Sequence, residues 1–350
     1  MLRALFVYFI VISCALLGQS CRFLSAVEKP KVEQGVIDLT NWDFERDGVV
    51  KLNGDWEFYW NSFLMDLPSN ARHYINSGYM FVPGLWNNKQ INEITLPGHG
   101  YASYRLKIKH NIKENLAVRY LNAATSSEIF VDGVSLLCTG VPGKTIESTQ
   151  PGYKPGIFSF KPKGEMVEIV IQIANFHHKK GGQWEPLILG TTDQISQYKD
   201  RQIFIELLSI GGILIMALFH LIIFMKHRYE KPLLYFGIFA FLISVKFLVS
   251  SEFTIYMFTE LQWMQLVRID YLSFYLAILF FMFFFRSLFP NEMHRWLANA
   301  VIVVSLLFSA SALILPLNYY SYGMVYFQVF TIVGGSLVFV ILTQAIKHKR

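Results

Sequence analysis

The pattern of apolar positions changes character near residue 200. Upstream, short runs that alternate or carry β-branched residues recur at 49–52, 56–60, 101–109, 116–121, 128–131, 156–160, 167–174 and 186–189. Period-two runs bounded by turn residues predict strands. Asn53-Gly54, Asp132-Gly133 and Gly181-Gly182 supply tight turns between them. No long amphipathic helix interrupts the series, so 27–200 is expected to fold as one all-β sandwich. Downstream, five apolar runs lie at 203–225, 233–250, 267–285, 297–315 and 325–346. Roughly 20 helical residues cross about 30 Å of hydrocarbon, so 203–346 is expected to be an α-helical transmembrane bundle.

Composition agrees with two unlike halves. The chain has 350 residues, 53% hydrophobic and 16% charged, and a positive mean hydropathy of +0.36. A soluble domain carries about 25% charged residues, so a single soluble enzyme is excluded, and so is disorder. The net charge of +6 sits unevenly. Residues 22–200 hold 19 basic and 19 acidic side chains and are neutral. The excess lies at the N-terminal tip and among the helices. Connectors with Lys226, Arg228 and Lys231, with Arg286 and Arg295, and with Lys347, Lys349 and Arg350 alternate with connectors that have no base. That alternation places the basic ends in the cytoplasm. The expected protein is multi-pass in a bacterial inner membrane, with 22–200 extracytoplasmic and the C-terminus cytoplasmic. Membrane lipid is its first partner, and nucleic acid is not needed to explain the charge.

The first 20 residues read as a signal peptide, with Arg3 in the n-region and an apolar stretch from Ala4 to Gly18. Leu17-Gly18-Gln19-Ser20-Cys21 also fits a permissive lipobox, as does Val11-Ile12-Ser13-Cys14. Later helices make a lipid anchor redundant. Cys138 lies in an apolar run and is expected to be a small buried hydrophobe. No disulfide framework, metal spacing or cofactor motif is present.

Aromatic and polar residues gather in several places. Trp56, Phe58 and Trp60 alternate along one strand and are read as core. Trp86, Asn87, His99, Tyr101, Asn175, His177 and Trp184 lie in loops or at strand ends. Flat rings beside Asn and His suit a sugar, which needs an apolar platform and directed hydrogen bonds; these seven are the candidate ligand-binding residues. His177-His178 is a poor metal pair, because adjacent residues of an extended chain point apart. Asp55 and Glu57 share a strand face, but no nucleophile elbow, phosphate loop or zincin motif accompanies them. No catalytic residue is assigned, and the protein is expected not to be an enzyme.

Four ionisable residues fall within or near the apolar runs: Glu206, Lys246, Arg268 and Asp270. Charge in hydrocarbon is costly and faces a partner or a cavity. The charge alternation puts all four in the outer third of the membrane. They are candidates for a polar cluster coupling the external domain to the helices; interfacial snorkelling is the alternative. His220, deep in the first run, is read as packing. Gly211-Gly212 and Gly334-Gly335 are read as close helix packing.

The segments Gly35-Val36-Ile37-Asp38-Leu39-Thr40, Asn53-Gly54-Asp55-Trp56-Glu57-Phe58, Val82-Pro83-Gly84-Leu85-Trp86, Leu96-Pro97-Gly98-His99-Gly100-Tyr101 and Asn175-Phe176-His177-His178 carry a resemblance. In that order they resemble the bacterial seven-transmembrane receptors with diverse intracellular signalling modules. The Asn-Gly-x-Trp-x-Phe and Pro-Gly-x-Trp pieces are also similar to the jelly-roll domain at the front of family 2 glycosidases. The resemblance implies a galactose-binding-like, jelly-roll sensor domain that reads a carbohydrate-like ligand and helices that pass the state inward. It also implies a kinase, cyclase or phosphatase output. The sequence shows five runs rather than seven and no output module, so the expectation is a truncated receptor or one acting through a cytoplasmic signalling partner. A transporter or channel subunit with an external recognition domain is the alternative. Transporters commonly carry broken helices and mid-membrane polar groups; here Pro is absent from the run interiors and the charges lie off-centre.

Overall fold

The computed structural model describes residues 29–68, 78–91, 93–250, 254–291 and 293–347. The expected leader, Cys21 and Glu252 lie outside these. Among the described residues fifteen strands precede the first long helix: β1 (Val36–Asp38), β2 (Val50–Lys51), β3 (Gly54–Trp60), β4 (Gly78–Val82), β5 (Gly84–Leu85), β6 (Gln90–Ile91), β7 (Ile94–Thr95), β8 (Gly100–Lys109), β9 (Leu116–Tyr120), β10 (Ser126–Val131), β11 (Val134–Thr139), β12 (Gly156–Phe160), β13 (Met166–Asn175), β14 (Gly182–Gln183) and β15 (Ile188–Thr191). One sheet runs β11-β10-β13-β8-β3-β4, with β1 added in parallel to β8. A second runs β12-β9-β15-β2, and β14-β5 and β6-β7 form two-stranded sheets beside them. The expected all-β sandwich is therefore present, and β1 and β4 are strands the apolar pattern did not mark.

Alternation builds its core. Trp56 and Phe58 of β3, Tyr104 and Leu106 of β8, Ile169 and Ile171 of β13 and Val118 of β9 meet between the sheets. The buried Trp56 indole donates to Leu52 O at 2.9 Å, so its N–H is satisfied inside. On the other face of the large sheet, Arg105 Nη2 lies 2.5 Å from Glu57 Oε2, and the Tyr59 hydroxyl donates to the same oxygen at 2.7 Å. Glu57 is thus a structural acid. Cys138 departs from expectation: it is exposed, not buried. β11 is the edge strand of its sheet, and most of its residues have no second layer to cover them.

Five long helices follow among the described residues: α1 (Thr192–Lys226), α2 (Lys231–Ser250), α3 (Trp263–Leu288), α4 (Arg295–Ile314) and α5 (Leu317–Lys347). All five are long and apolar enough to cross a membrane. Consecutive helices pack side by side, with α3 against α2, α4 and α5. Gly237 of α2 sits where an added Cβ would fall 2.8 Å from Leu221 of α1, which lets these two helices approach closely. The glycine pairs expected to do this work do not: a Cβ added at Gly211, Gly212, Gly334 or Gly335 would meet nothing within 4 Å. They lie on the outermost helices, α1 and α5, and face away from their neighbours. His220 is a packing residue, its ring 4.6 Å from that of Phe236.

α1 joins the halves. The Thr191 hydroxyl and the Gln194 side chain form a capping box at its start, and Gln194 Nε2 donates to Phe44 O at 2.5 Å. Thr191 lies opposite Leu116 and Ile188 opposite Arg119 on β9. From that start the helix turns back along β9. Ile195 packs with Ala117 and Ile188, and Tyr198 lies under the Arg119 guanidinium at 5.6 Å. The same helix then continues into the bundle without a break. Its 35 residues span about 52 Å at 1.5 Å per residue.

Candidate functional site at the sandwich–bundle junction

The loops at the end of the sandwich nearest the bundle are held by side chains the sequence marked for ligand binding. Asn175, at the end of β13, donates through Nδ2 to Gly98 O at 2.8 Å and to His178 O at 2.7 Å. Its Oδ1 accepts from the His178 N–H at 3.1 Å. Asn87 donates to Lys179 O at 2.7 Å and accepts from the Gly181 N–H at 2.8 Å. Trp86 is 0% exposed and donates to Gly98 O at 3.1 Å. Gly181 lies flat on that indole, where a Cβ would fall 2.2 Å from the ring. All three therefore build the 175–184 loop rather than line its surface. Tyr101 leans on Phe63 at 4.9 Å between ring centroids. His99 is half-buried, with Nε2 enclosed and unpartnered among the described residues.

The other two candidates reach the bundle. His177 stands edge-on to Trp263 of α3 at 6.5 Å. Trp184 packs against His178 at 5.1 Å and Tyr153 at 6.0 Å. Tyr153 in turn meets Trp263 at 5.7 Å. Leu121 and Tyr153 of the sandwich share one apolar cluster with Val249, Trp263, Leu266 and Tyr271 of the bundle. Burial and two neighbouring lysines hold the His178 imidazole well below its usual range, at about 4. Its Nδ1 accepts from the Lys180 N–H at 3.2 Å, as a neutral ring does. Burial, then Lys180, lowers Lys179 to about 8.

Inside this junction is a cavity of about 560 Å³. Asn122, Tyr153 and Trp184 line it from the sandwich, and Val249, Asp270 and Met324 from the bundle. Its floor carries the first of the membrane charges. Lys246 Nζ of α2 lies 2.5 Å from Asp270 Oδ1 of α3. The Ser250 hydroxyl donates to the same oxygen at 2.8 Å. Lys246 also lies over the Phe274 ring at 5.5 Å. Glu206 of α1 is elsewhere and accepts from the Thr254 hydroxyl. Arg268 is half-buried, two residues before Asp270 on the same helix, and residues so spaced do not face each other. Of the four candidates, Lys246 and Asp270 form one ion pair. Asn122, Tyr153 and Trp263 carried no sequence signal for this place. Each comes from a different loop or helix, and only docking of the two halves brings them together.

Residues 202–350 match the family model described as 7TM diverse intracellular signalling. No curated protein matches the chain. Solved structures with some likeness include a GH2 β-galacturonidase from Eisenbergiella tayi bound to galacturonate, 15% identical with a TM-score of 0.30, covering 41% of this chain and 24% of that one. A β-glucuronidase from an uncultured Clostridium species is 13% identical, with a TM-score of 0.31 and coverage of 40% and 28%. A Faecalibacterium prausnitzii β-glucuronidase is 12% identical, with a TM-score of 0.31 and coverage of 40% and 31%. The chain spans about a quarter to a third of the length of these enzymes. Likeness at this level carries no inference about activity.

Proposed function

We propose that this chain, whose residues 202–350 match the 7TM diverse intracellular signalling family, is a membrane sensor whose extracytoplasmic sandwich reads a carbohydrate-like ligand. The helices pass that state to the cytoplasmic face, where a separate signalling partner receives it. The protein sits in the inner membrane, oriented by its basic connectors, and performs no catalysis of its own.

The observation that carries this reading is α1. One unbroken helix packs on the sandwich through Ile195 and Tyr198 and then forms the first wall of the bundle. A rigid element shared by both halves cannot leave one still while the other moves. The common apolar cluster around Tyr153 and Trp263 supports the same coupling at a second point.

The test uses the full chain in lipid nanodiscs, with spin labels at the cytoplasmic ends of α1 (Lys226) and α4 (Arg295). A panel of neutral and acidic oligosaccharides is screened for binding, and the label-to-label distance is measured with each binder. A shift is expected with a bound saccharide. Arg201→Pro, which kinks α1 between sandwich and bundle, should remove the shift even at saccharide concentrations that saturate the variant. A saccharide that binds and leaves the distance unchanged in the parent chain sinks the relay.

A further inference from the structure

We propose that the junction cavity is itself the ligand site and that it takes a neutral, polyhydroxylated ring of mono- or disaccharide size. This rests on the carbohydrate-sensing reading above and gives it a location. The cavity volume of about 560 Å³ falls within the roughly 300–1,000 Å³ of small-molecule sites.

Its chemistry selects the ligand class. Trp184 and Tyr153, packed edge to face at 71°, put aromatic surface in the cavity wall, with the half-buried Trp184 ring the more open of the two, as the C–H face of a sugar ring requires. The lining also carries polar side chains at Asn122, Lys180, Glu185 and Gln328. The hydroxyl groups of a sugar hydrogen-bond such groups as donors and acceptors; an aliphatic ligand does neither. Charge is balanced. Lys246 is neutralised by Asp270, and Lys180 and Glu185 contribute one charge of each sign. His178 accepts a backbone N–H and is uncharged. A lining without net charge favours a neutral sugar over a uronic acid or an amine.

The location has a consequence for coupling. Sandwich and bundle each supply part of the wall, so a ligand touching both stabilises the docked arrangement over any other. Asp270, tied to Lys246 and Ser250, forms the cavity floor and puts a salt bridge between α2 and α3 within reach of the ligand.

The experiment is titration calorimetry of the full chain in nanodiscs with neutral mono- and disaccharides and their matched uronic acids. A neutral saccharide is expected to bind. Trp184→Ala and Asn122→Leu should each weaken it at least tenfold, and Met324→Trp, on the bundle wall, should do the same by filling the space. Tyr79→Ala, an exposed aromatic on edge strand β4, should leave affinity unchanged. Thermal unfolding without ligand identifies any variant that fails to fold, and Met324→Trp tests the site independently of the sandwich variants. Binding that survives both Trp184→Ala and Met324→Trp overturns the location while leaving carbohydrate sensing intact. Preference for the uronic acids overturns the neutral class. Failure of every saccharide overturns this assignment and the carbohydrate part of the functional reading together.

Discussion

Trp86 and Trp184 are both tryptophans in short loop motifs, and their surroundings separate them. Trp86 is fully buried and hydrogen-bonded to Gly98 O. Trp86→Ala should therefore cost about 3–5 kcal/mol of stability by leaving a cavity, seen as a large fall in the thermal midpoint. Trp184→Ala should cost far less, because its ring is half-buried at the junction. His178 makes a pH prediction. Its folded pKa of about 4 lies below the usual 6.5, so the unfolded chain binds more protons between those values. Stability is then full above about pH 6.5 and falls as pH drops toward 4, by up to about 3 kcal/mol. Unfolding measured from pH 7.5 to 4 should show that slope, and His178→Phe, which keeps an aromatic ring against Trp184, should flatten it.

At the scale of elements, α1 ties the sandwich to the bundle and packs on α2 within the bundle. Thr191→Ala removes the cap of α1 and should cost about 1 kcal/mol, read as a lower thermal midpoint. Gly237→Ala should loosen the α1–α2 contact, since the new Cβ would fall 2.8 Å from Leu221. Gly211→Ala and Gly334→Ala face open space and should be neutral or stabilising, because Ala is the better helix former by up to about 1 kcal/mol. Strand content was largely legible in the period-two runs. β4 escaped because its outward residues, Tyr79 and Phe81, are as apolar as its inward ones, so the alternation vanishes. Cys138 misled for a related reason: an apolar run implies burial only where a second layer covers the strand, and β11 is an edge.

At the scale of the molecule, the Lys246–Asp270 pair tests whether the bundle depends on an ion pair beside its junction with the sandwich. Removing one partner leaves a partly buried charge uncompensated, which is costlier than removing both. Lys246→Met should lower the thermal midpoint of the chain in nanodiscs, and Lys246→Met with Asp270→Leu should recover most of the loss. If the double variant is no better than the single, the pair is not the interaction being removed. Sequence placed both residues at one depth through the alternating basic connectors. It could not choose between Glu206 and Asp270 as the partner of Lys246, because depth is one coordinate and pairing needs the helix faces as well.

The two-part architecture and the five apolar helices follow from local quantities: the period of apolar positions, run length and the position of charge. Those act within a few residues and can be read along the chain. Which aromatic is core and which lines a cavity follows from packing between segments far apart in sequence. Asn122, Tyr153, Trp184 and Met324 become neighbours only when the sandwich docks on the helices. Asn87 and Asn175 show the same limit, since an amide beside an aromatic suits a sugar or a backbone carbonyl equally well. Here the 175–184 loop supplies the carbonyls, and both amides are spent on holding it in place.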